Sequence, residues 1–230
     1  MERLLAIDTS ADTCSVSLYN KGEWAHFHEV LPRQHAKKVL GIIDTLLKEQ
    51  AVPMSTLDCV VYGQGPGSFT GLRIAAGVAS GLSMALNIPV CGVSTLTALA
   101  MALSDRPAGT KILPCIDARM SQVYWCPHLI DAQGVPQPQA IEQVSDPETL
   151  VLDGEWIAFE AIGNGWQYQD AMPDTVVNAV VHRHADRQPH AADMIRWVLA
   201  TEPTLLPPGQ VEPVYIRNNV TWEKQPKIGS

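Results

Sequence analysis

Gly63-Gln64-Gly65-Pro66-Gly67-Ser68-Phe69-Thr70-Gly71-Leu72-Arg73 separates two segments of opposite character, and its reading decides the fold. The apolar run from Leu57 to Tyr62 enters it as a buried strand. Four glycines and Pro66 then forbid regular structure, and glycine at this density lets another group come close to the backbone. Ser68 or Thr70 supplies an N-cap, because its side-chain oxygen can accept from a free amide of the first turn. From Leu72 to Leu86 the chain reads as a helix, with Asn87 as its left-handed stop and Pro89 forbidding continuation.

That helix has an unusual surface. Ala76, Ser80 and Met84 fall on one face and Gly77, Gly81 and Ala85 on the next, so one side is nearly bare backbone. Each internal glycine costs about 1 kcal/mol against alanine, which implies that something approaches closely. No charge occurs between Arg73 and Asn87. A helix with no polar face is either internal or covered by another chain. Packing on the chain's own sheet and packing on a partner both remain open here. Arg73 lies in the first turn, against the macrodipole, and is expected to pair with a carboxylate or an anion held by the loop amides.

The 230 residues suffice for one large or two small domains, and 46% hydrophobic with 17% charged residues indicates a well-buried globular chain. Its formal charge of −8, with no Lys/Arg cluster, makes it a poor nucleic-acid binder by itself. Five cysteines sit in apolar, strand-like runs with no CxxC pair, as expected of buried thiols in a reducing compartment. No leader pattern and no apolar run of membrane-spanning length free of small polar breaks stands out. The expectation is cytoplasmic, with no membrane partner.

Before the pivotal stretch, three strands are predicted at 3–7, 13–19 and 23–30, then an amphipathic helix over 35–50. After it come a strand at 89–93 and a helix from Ser94 or Thr95 to about Leu103. The order βββαβαβα implies an α/β fold with a mixed sheet and helices on its faces. Pro107-Ala108-Gly109 marks a boundary between 1–106 and 107–230. Beyond it, Ile112 to Asp117, a polar turn and the alternation 122–126 echo Leu5 to Asp8, its turn and its strand. The second copy is poorer: 127–147 reads mostly as loop, 156–162 as a strand, Gly163-Asn164-Gly165 as a turn and 191–199 as a helix. His182 and His184 read as surface loop, and the proline-rich tail from Pro203 as an extended strap.

Asp8 and Asp117 each end a first strand before small hydroxyl residues or a tight turn. Such aspartates can hold a phosphate or hydrated Mg²⁺ across a cleft, or simply cap turns. With Ser10, Gly65, Gly67 and Ser68 they form the candidate nucleotide or anion contacts. The glycine loop is neither a Walker A motif nor GxGxxG, although anion binding at the following helix N-terminus stays open. No Ser/His/Asp order and no HxxxH spacing occurs. His26 and His28 share a strand face, for which an exposed edge is favoured over a metal pair.

Leu5-Ala6-Ile7-Asp8-Thr9-Ser10, Gly65-Pro66-Gly67-Ser68-Phe69-Thr70-Gly71-Leu72-Arg73, Pro89 to Thr95, Ile116-Asp117-Ala118-Arg119 and Pro213 to Arg217 together resemble the TsaB (YeaZ) family. The first half carries the resemblance closely and the second thinly. The resemblance implies an ASKHA (actin/Hsp70-like) fold of two ribonuclease-H-like lobes with mixed sheets, the second reduced. It also implies a non-catalytic subunit for N6-threonylcarbamoyladenosine (t6A) formation in tRNA, beside the catalytic paralogue TsaD and the ATPase TsaE.

The chain departs from TsaD-like sequences where their HxxxH metal pair would fall, because Thr95 and Leu99 stand there and leucine has no donor atom. No catalytic residue and no metal ligand is therefore assigned. No cofactor is expected for the chain alone. ATP and Mg²⁺ belong to the complex, and a nucleotide at the subunit junction remains open. The partner face is assigned to Arg73, Ala76, Gly77, Ser80, Gly81 and Met84, with tRNA reached only through the complex and a homodimer as its alternative occupant. Rival readings are a stand-alone ASKHA nucleotide hydrolase or kinase and, less favoured, a peptidase.

Overall fold

The computed structural model describes residues 1–216, so Arg217 and the rest of the tail lie outside the described residues. The first lobe comprises β1 (Arg3–Asp8), β2 (Thr13–Asn20), β3 (Glu23–Val30), α1 (His35–Glu49), β4 (Cys59–Gly65), α2 (Phe69–Leu86), β5 (Val90–Ser94) and α3 (Thr95–Met101). The second contains β6 (Lys111–Arg119), β7 (Gln122–Trp125), β8 (His128–Ile130), β9 (Pro136–Pro138), β10 (Gln143–Ser145), β11 (Phe159–Ile162), α4 (Asp174–Val177), β12 (Val180–His184) and α5 (Ala191–Thr201).

The faint repeat in the sequence is a repeat of topology. The first sheet runs β3-β2-β1-β4-β5 and the second β10-β7-β6-β11-β12. In each, three strands pair antiparallel and two more add in parallel. This is the ASKHA arrangement of two ribonuclease-H-like units. The second unit is reduced between its strands: a 3₁₀ turn at Pro147–Thr149 stands where the first has α1, and a 3₁₀ segment (Asn164–Ala171) with one-turn α4 replaces α2.

The last helix of each lobe packs on the other lobe. Leu96, Leu99, Ala100 and Leu103 join Ile112, Ile116 and Ile162 of the second sheet. Ala191, Met194, Ile195 and Val198 of α5 join Leu4, Ala6, Cys59 and Val61 of the first. Thus α5 falls within 107–230 in sequence and on the 1–106 sheet in space.

Several local expectations change. The stretch 127–147 carries three three-residue strands, too short to leave an alternating pattern. His182 and His184 both lie in β12 rather than in a loop, His182 exposed as expected, and His184 Nε2 bonds Glu160 at 2.8 Å while Arg106 Nε takes the other carboxylate oxygen at 2.7 Å. His26 and His28 lie on edge strand β3, with His28 stacked on His190 at 4.4 Å between ring centres. All five cysteines are buried free thiols, and burial pushes the Cys59 thiol up to about 12.

Candidate functional site

The glycine loop is shaped by what presses on it from within. Ser68 caps α2 by accepting from Gly71 N–H at 3.4 Å, and Ser68 N–H donates to the Ser10 carbonyl at 2.7 Å. Thr9 Oγ1 donates to the Gly71 carbonyl at 2.6 Å. A Cβ at Gly67 would stand 2.7 Å from the Ser10 carbonyl oxygen, and one at Gly71 would overlap the Thr9 carbonyl. At Gly65 (φ +117°) it would meet the Val214 carbonyl at 2.6 Å, and at Gly63 it would overlap the Asp8 carboxylate. Each loop glycine therefore admits a neighbouring part of this chain: the β1–β2 turn, the tail or Asp8.

The helix behind the loop behaves oppositely. Leu72, Ala75, Ala76, Ala79 and Ser83 are buried, Ala75 and Ala79 within the apolar cluster of the first sheet. With a Cβ added at Gly77 or Gly81, no atom of the described residues falls within 4 Å. The bare face therefore points outward, against the reading in which it packs on the chain's own sheet. Met84 is 65% exposed and Phe69 43%. By length and composition alone α2 could cross a membrane, but here its inner face is part of the core. Asn87 closes it in the left-handed conformation (φ 54°), as the sequence predicts.

Among the described residues Arg73 pairs with no carboxylate. Its guanidinium lies 3.8 Å from the Phe69 ring centre, and its Nε donates to Tyr215 Oη at 3.2 Å. Of the assigned partner face, Arg73, Gly77, Gly81 and Met84 are exposed, Ala76 is buried, and Ser80 is half-covered with its hydroxyl toward the Gly209 carbonyl at 3.5 Å.

Between the lobes lies a cleft of about 370 Å³. Ser10, Gly67, Ser68 and Asp117 line it, whereas Asp8 and Gly65 do not. The residues that sequence reasoning missed are Asp12, Arg119, Asn164 and the tail segment 214–216. Arg119 and 214–216 stand in two of the stretches that carry the family resemblance, but nothing in the sequence assigns these residues, Asp12 or Asn164 to one cleft, since they meet only when the lobes and tail come together. Arg119 bridges the walls: Nη2 reaches Asp12 at 3.2 Å and Nη1 reaches Asp117 at 3.4 Å. Asp117 also accepts from Arg119 N–H at 2.8 Å and Tyr168 Oη at 3.2 Å.

Mg²⁺ needs accessible oxygen ligands in near-octahedral array. The residues present do not fit that requirement, because both cleft carboxylates are engaged by Arg119 and Asp8 is sealed. Among the described residues no group of three His, Cys, Asp or Glu side chains is placed to hold a metal. Thr95 and Leu99 are both buried, Leu99 within the apolar cluster around α3.

Asp8 is wholly buried. Its Oδ1 accepts from Ser10 N–H at 3.2 Å and Ser10 Oγ at 2.9 Å, and its Oδ2 has no partner among the described residues. Burial pushes its carboxyl up from 3.8 to about 6, against the lowering by the Ser10 hydrogen bonds. A carboxyl whose folded pKa is raised favours folding while protonated. Its destabilisation therefore grows as pH rises from about 4 to 6 and is complete above that, at a cost of about 3 kcal/mol. Asp8→Asn keeps the Oδ1 acceptor without the charge. Its stability advantage over the parent is expected to widen across that interval in urea denaturation. Parallel profiles for the two proteins would show that Asp8 does not titrate there.

A family model described as TsaD: tRNA N6-adenosine threonylcarbamoyltransferase matches residues 27–154. The chain is 38% identical over 234 residues to the tRNA threonylcarbamoyladenosine biosynthesis protein TsaB of Escherichia coli (strain K12), covering 97% of this chain and 98% of that protein. It is 31% identical over 242 residues to the Haemophilus influenzae protein of the same description, with 97% of each covered. The solved structure of YeaZ from Pseudomonas aeruginosa superposes with a TM-score of 0.84 at 36% identity, over 94% of this chain and 100% of that one. A second solved Pseudomonas aeruginosa chain, described as similar to peptidase YeaZ, gives 0.86 at the same identity and coverage.

Proposed function

Because the chain belongs to the TsaB (YeaZ) family and so takes part in tRNA threonylcarbamoyladenosine biosynthesis, we propose that it does so as a non-catalytic subunit. On this reading it binds a TsaD-type transferase in the cytoplasm through the outer face of α2, and tRNA and the ATPase TsaE meet it only in the assembled complex. The observation that carries the reading is the open, uncharged helix surface around Gly77 and Gly81, with no atom of the described residues within 4 Å of an added Cβ. Small residues there let a second helix approach to about 8 Å between axes, and their cost to helix stability is otherwise unexplained. A stable contact needs about 800 Å² from each partner. The exposed face of α2, with Met84 and Phe69 exposed on the same helix, offers apolar surface for it.

The cleft chemistry also favours an accessory role. Among the described residues lining it there is no histidine, cysteine or lysine, which removes the usual base for a peptidase serine such as Ser10 or Ser68. For a nucleotide hydrolase, Asp8 is out of reach of the cleft and Asp117 is spent on Arg119 and Tyr168. ATP and Mg²⁺ are accordingly assigned to the complex and not to this chain.

The test is threonylcarbamoyl transfer to tRNA by a TsaD-type enzyme with TsaE and ATP, run with and without this chain. Activity that requires the chain, with none from the chain alone, is the expected result. Equal activity in its absence, or ATP turnover by the chain alone that Asp117→Asn removes, would move the reading to a stand-alone enzyme.

A further inference from the structure

After α5 the chain runs back over the first lobe from 203 to 216, and the way it is attached is unusual. Leu206 makes a two-bond antiparallel bridge with Val90 on the edge of the first sheet, at 2.9 and 3.0 Å. Gly209 N–H donates to Ser83 Oγ at 3.0 Å, and the Gly209 carbonyl faces Ser80 Oγ. Glu212 N–H donates to Tyr62 Oη at 3.2 Å, and Val214 N–H to the Gln64 carbonyl at 2.6 Å. Tyr215 then meets Phe69 at 5.2 Å between ring centres, and 214–216 form one wall of the interlobe cleft.

Nearly all these anchors are main-chain polar bonds, and no residue from 203 to 216 is buried. Leu205, Val211 and Ile216 lean on three different apolar clusters, each only partly covered. A segment with few buried contacts and exposed backbone bonds opens locally at far lower cost than a core strand. The strap is thus weakly held, and it touches both the helix face and the cleft.

Geometry couples the two places. A helix is about 10–12 Å across with side chains, so one laid on Gly77 and Gly81 must also cover the residues one turn away. Those include Ser80 and Met84, on which Gly209 rests: a Cβ at Gly209 would fall 2.8 Å from Met84 Cγ. We infer that 203–216 is a detachable strap which docking on α2 displaces, and that its movement removes the 214–216 wall and opens the interlobe cleft. This rests on the α2 docking reading for its trigger, while the strap itself is a property of the free chain. One two-state element biased by both sites is what a physical coupling requires.

The test uses the full chain and Val214→Pro, which deletes the N–H donated to Gln64 without touching α2. In the free parent, amide exchange at Leu206, Glu212 and Val214 is expected at least ~100-fold faster than at Leu5 or Val61. Addition of the TsaD-type partner should accelerate strap exchange further, by ~10-fold or more, and Val214→Pro should bind that partner several-fold more tightly because the strap is already loosened. Strap amides exchanging with the core in the free chain would overturn the detachable strap outright. Strap amides more protected in the complex, or weaker or unchanged binding by Val214→Pro, would overturn displacement and make the strap a fixed part of the surface. If Gly77→Arg leaves the complex intact, the docking face is elsewhere; the free-chain exchange still decides whether the strap opens.

Discussion

Gly77→Arg is expected to abolish the complex with a TsaD-type partner and, in the same protein, to raise the stability of the isolated chain. The site has open space on the described surface, so the new side chain meets nothing at home. Replacing glycine in an exposed helix interior with arginine recovers about 0.8 kcal/mol. At a helix–helix contact the same guanidinium would be buried unpaired, at about 2–5 kcal/mol, or a loss of ~30-fold to several thousand-fold in affinity. The measurement pairs thermal denaturation of the variant alone with co-purification or calorimetric titration against the partner. A variant that is stabler and still binds would place the partner elsewhere. A variant that fails to fold would mean the helix face is not open as described. Gly81→Arg should behave alike, whereas Ser80→Arg also strikes the strap and is the less clean probe.

Gly71→Ala is the opposite experiment on the same helix. Alanine is the best helix former, and by propensity alone this change should stabilise. Its Cβ would overlap the Thr9 carbonyl oxygen, which belongs to a buried turn hydrogen-bonded to the loop on both sides. Relief requires moving α2 or the β1–β2 turn as a body, because the obstacle is backbone and not a flexible side chain. The expected cost is about 3 kcal/mol or more, at the top of the range for overpacking. Unfolding free energies from urea denaturation of Gly71→Ala and Gly77→Ala should move in opposite directions, the second upward by about 1 kcal/mol. Equal shifts would mean that the loop glycines do not serve close packing.

The first lobe was legible because its signals are local. Alternation in 13–19, the stripe of 35–50 and the Ser68 and Asn87 caps each act within a few residues, and they name strands and helices to within a residue or three. The second lobe was not, because strands of three residues such as 128–130 cannot show a period, and the helices that would punctuate them are reduced to 3₁₀ turns. The crossing of α3 and α5 left no trace in sequence, since an amphipathic helix advertises that it has an apolar stripe and not which sheet receives it.

The candidate site divides in the same way. Glycine density announced close approach at 63–71 correctly but could not say that the approaching groups are Ser10, Thr9, Asp8 and Val214 of the same chain. The absence of charge between 73 and 87 announced a covered face, and the structure turns that face outward. Arg73 was expected to pair with a carboxylate or an anion; it lies over the ring of Phe69, one turn earlier, and its Nε bonds Tyr215, which arrives from 142 residues away.

The exchanged terminal helices bear on how the protein is born. Ala191 N–H donates to Ser15 Oγ across 176 residues at 2.9 Å, and α5 closes a face of the first sheet. A nascent chain that has cleared the ribosome through β5 therefore carries Leu4, Ala6, Cys59 and Val61 on an open hydrophobic surface until 191–201 has also been made. At ~5–20 residues per second that interval lasts on the order of 5–20 s. Contacts so distant in sequence also close slowly in a released chain. Synthesis in a cell short of chaperones should therefore deplete this protein before it affects proteins whose halves close independently.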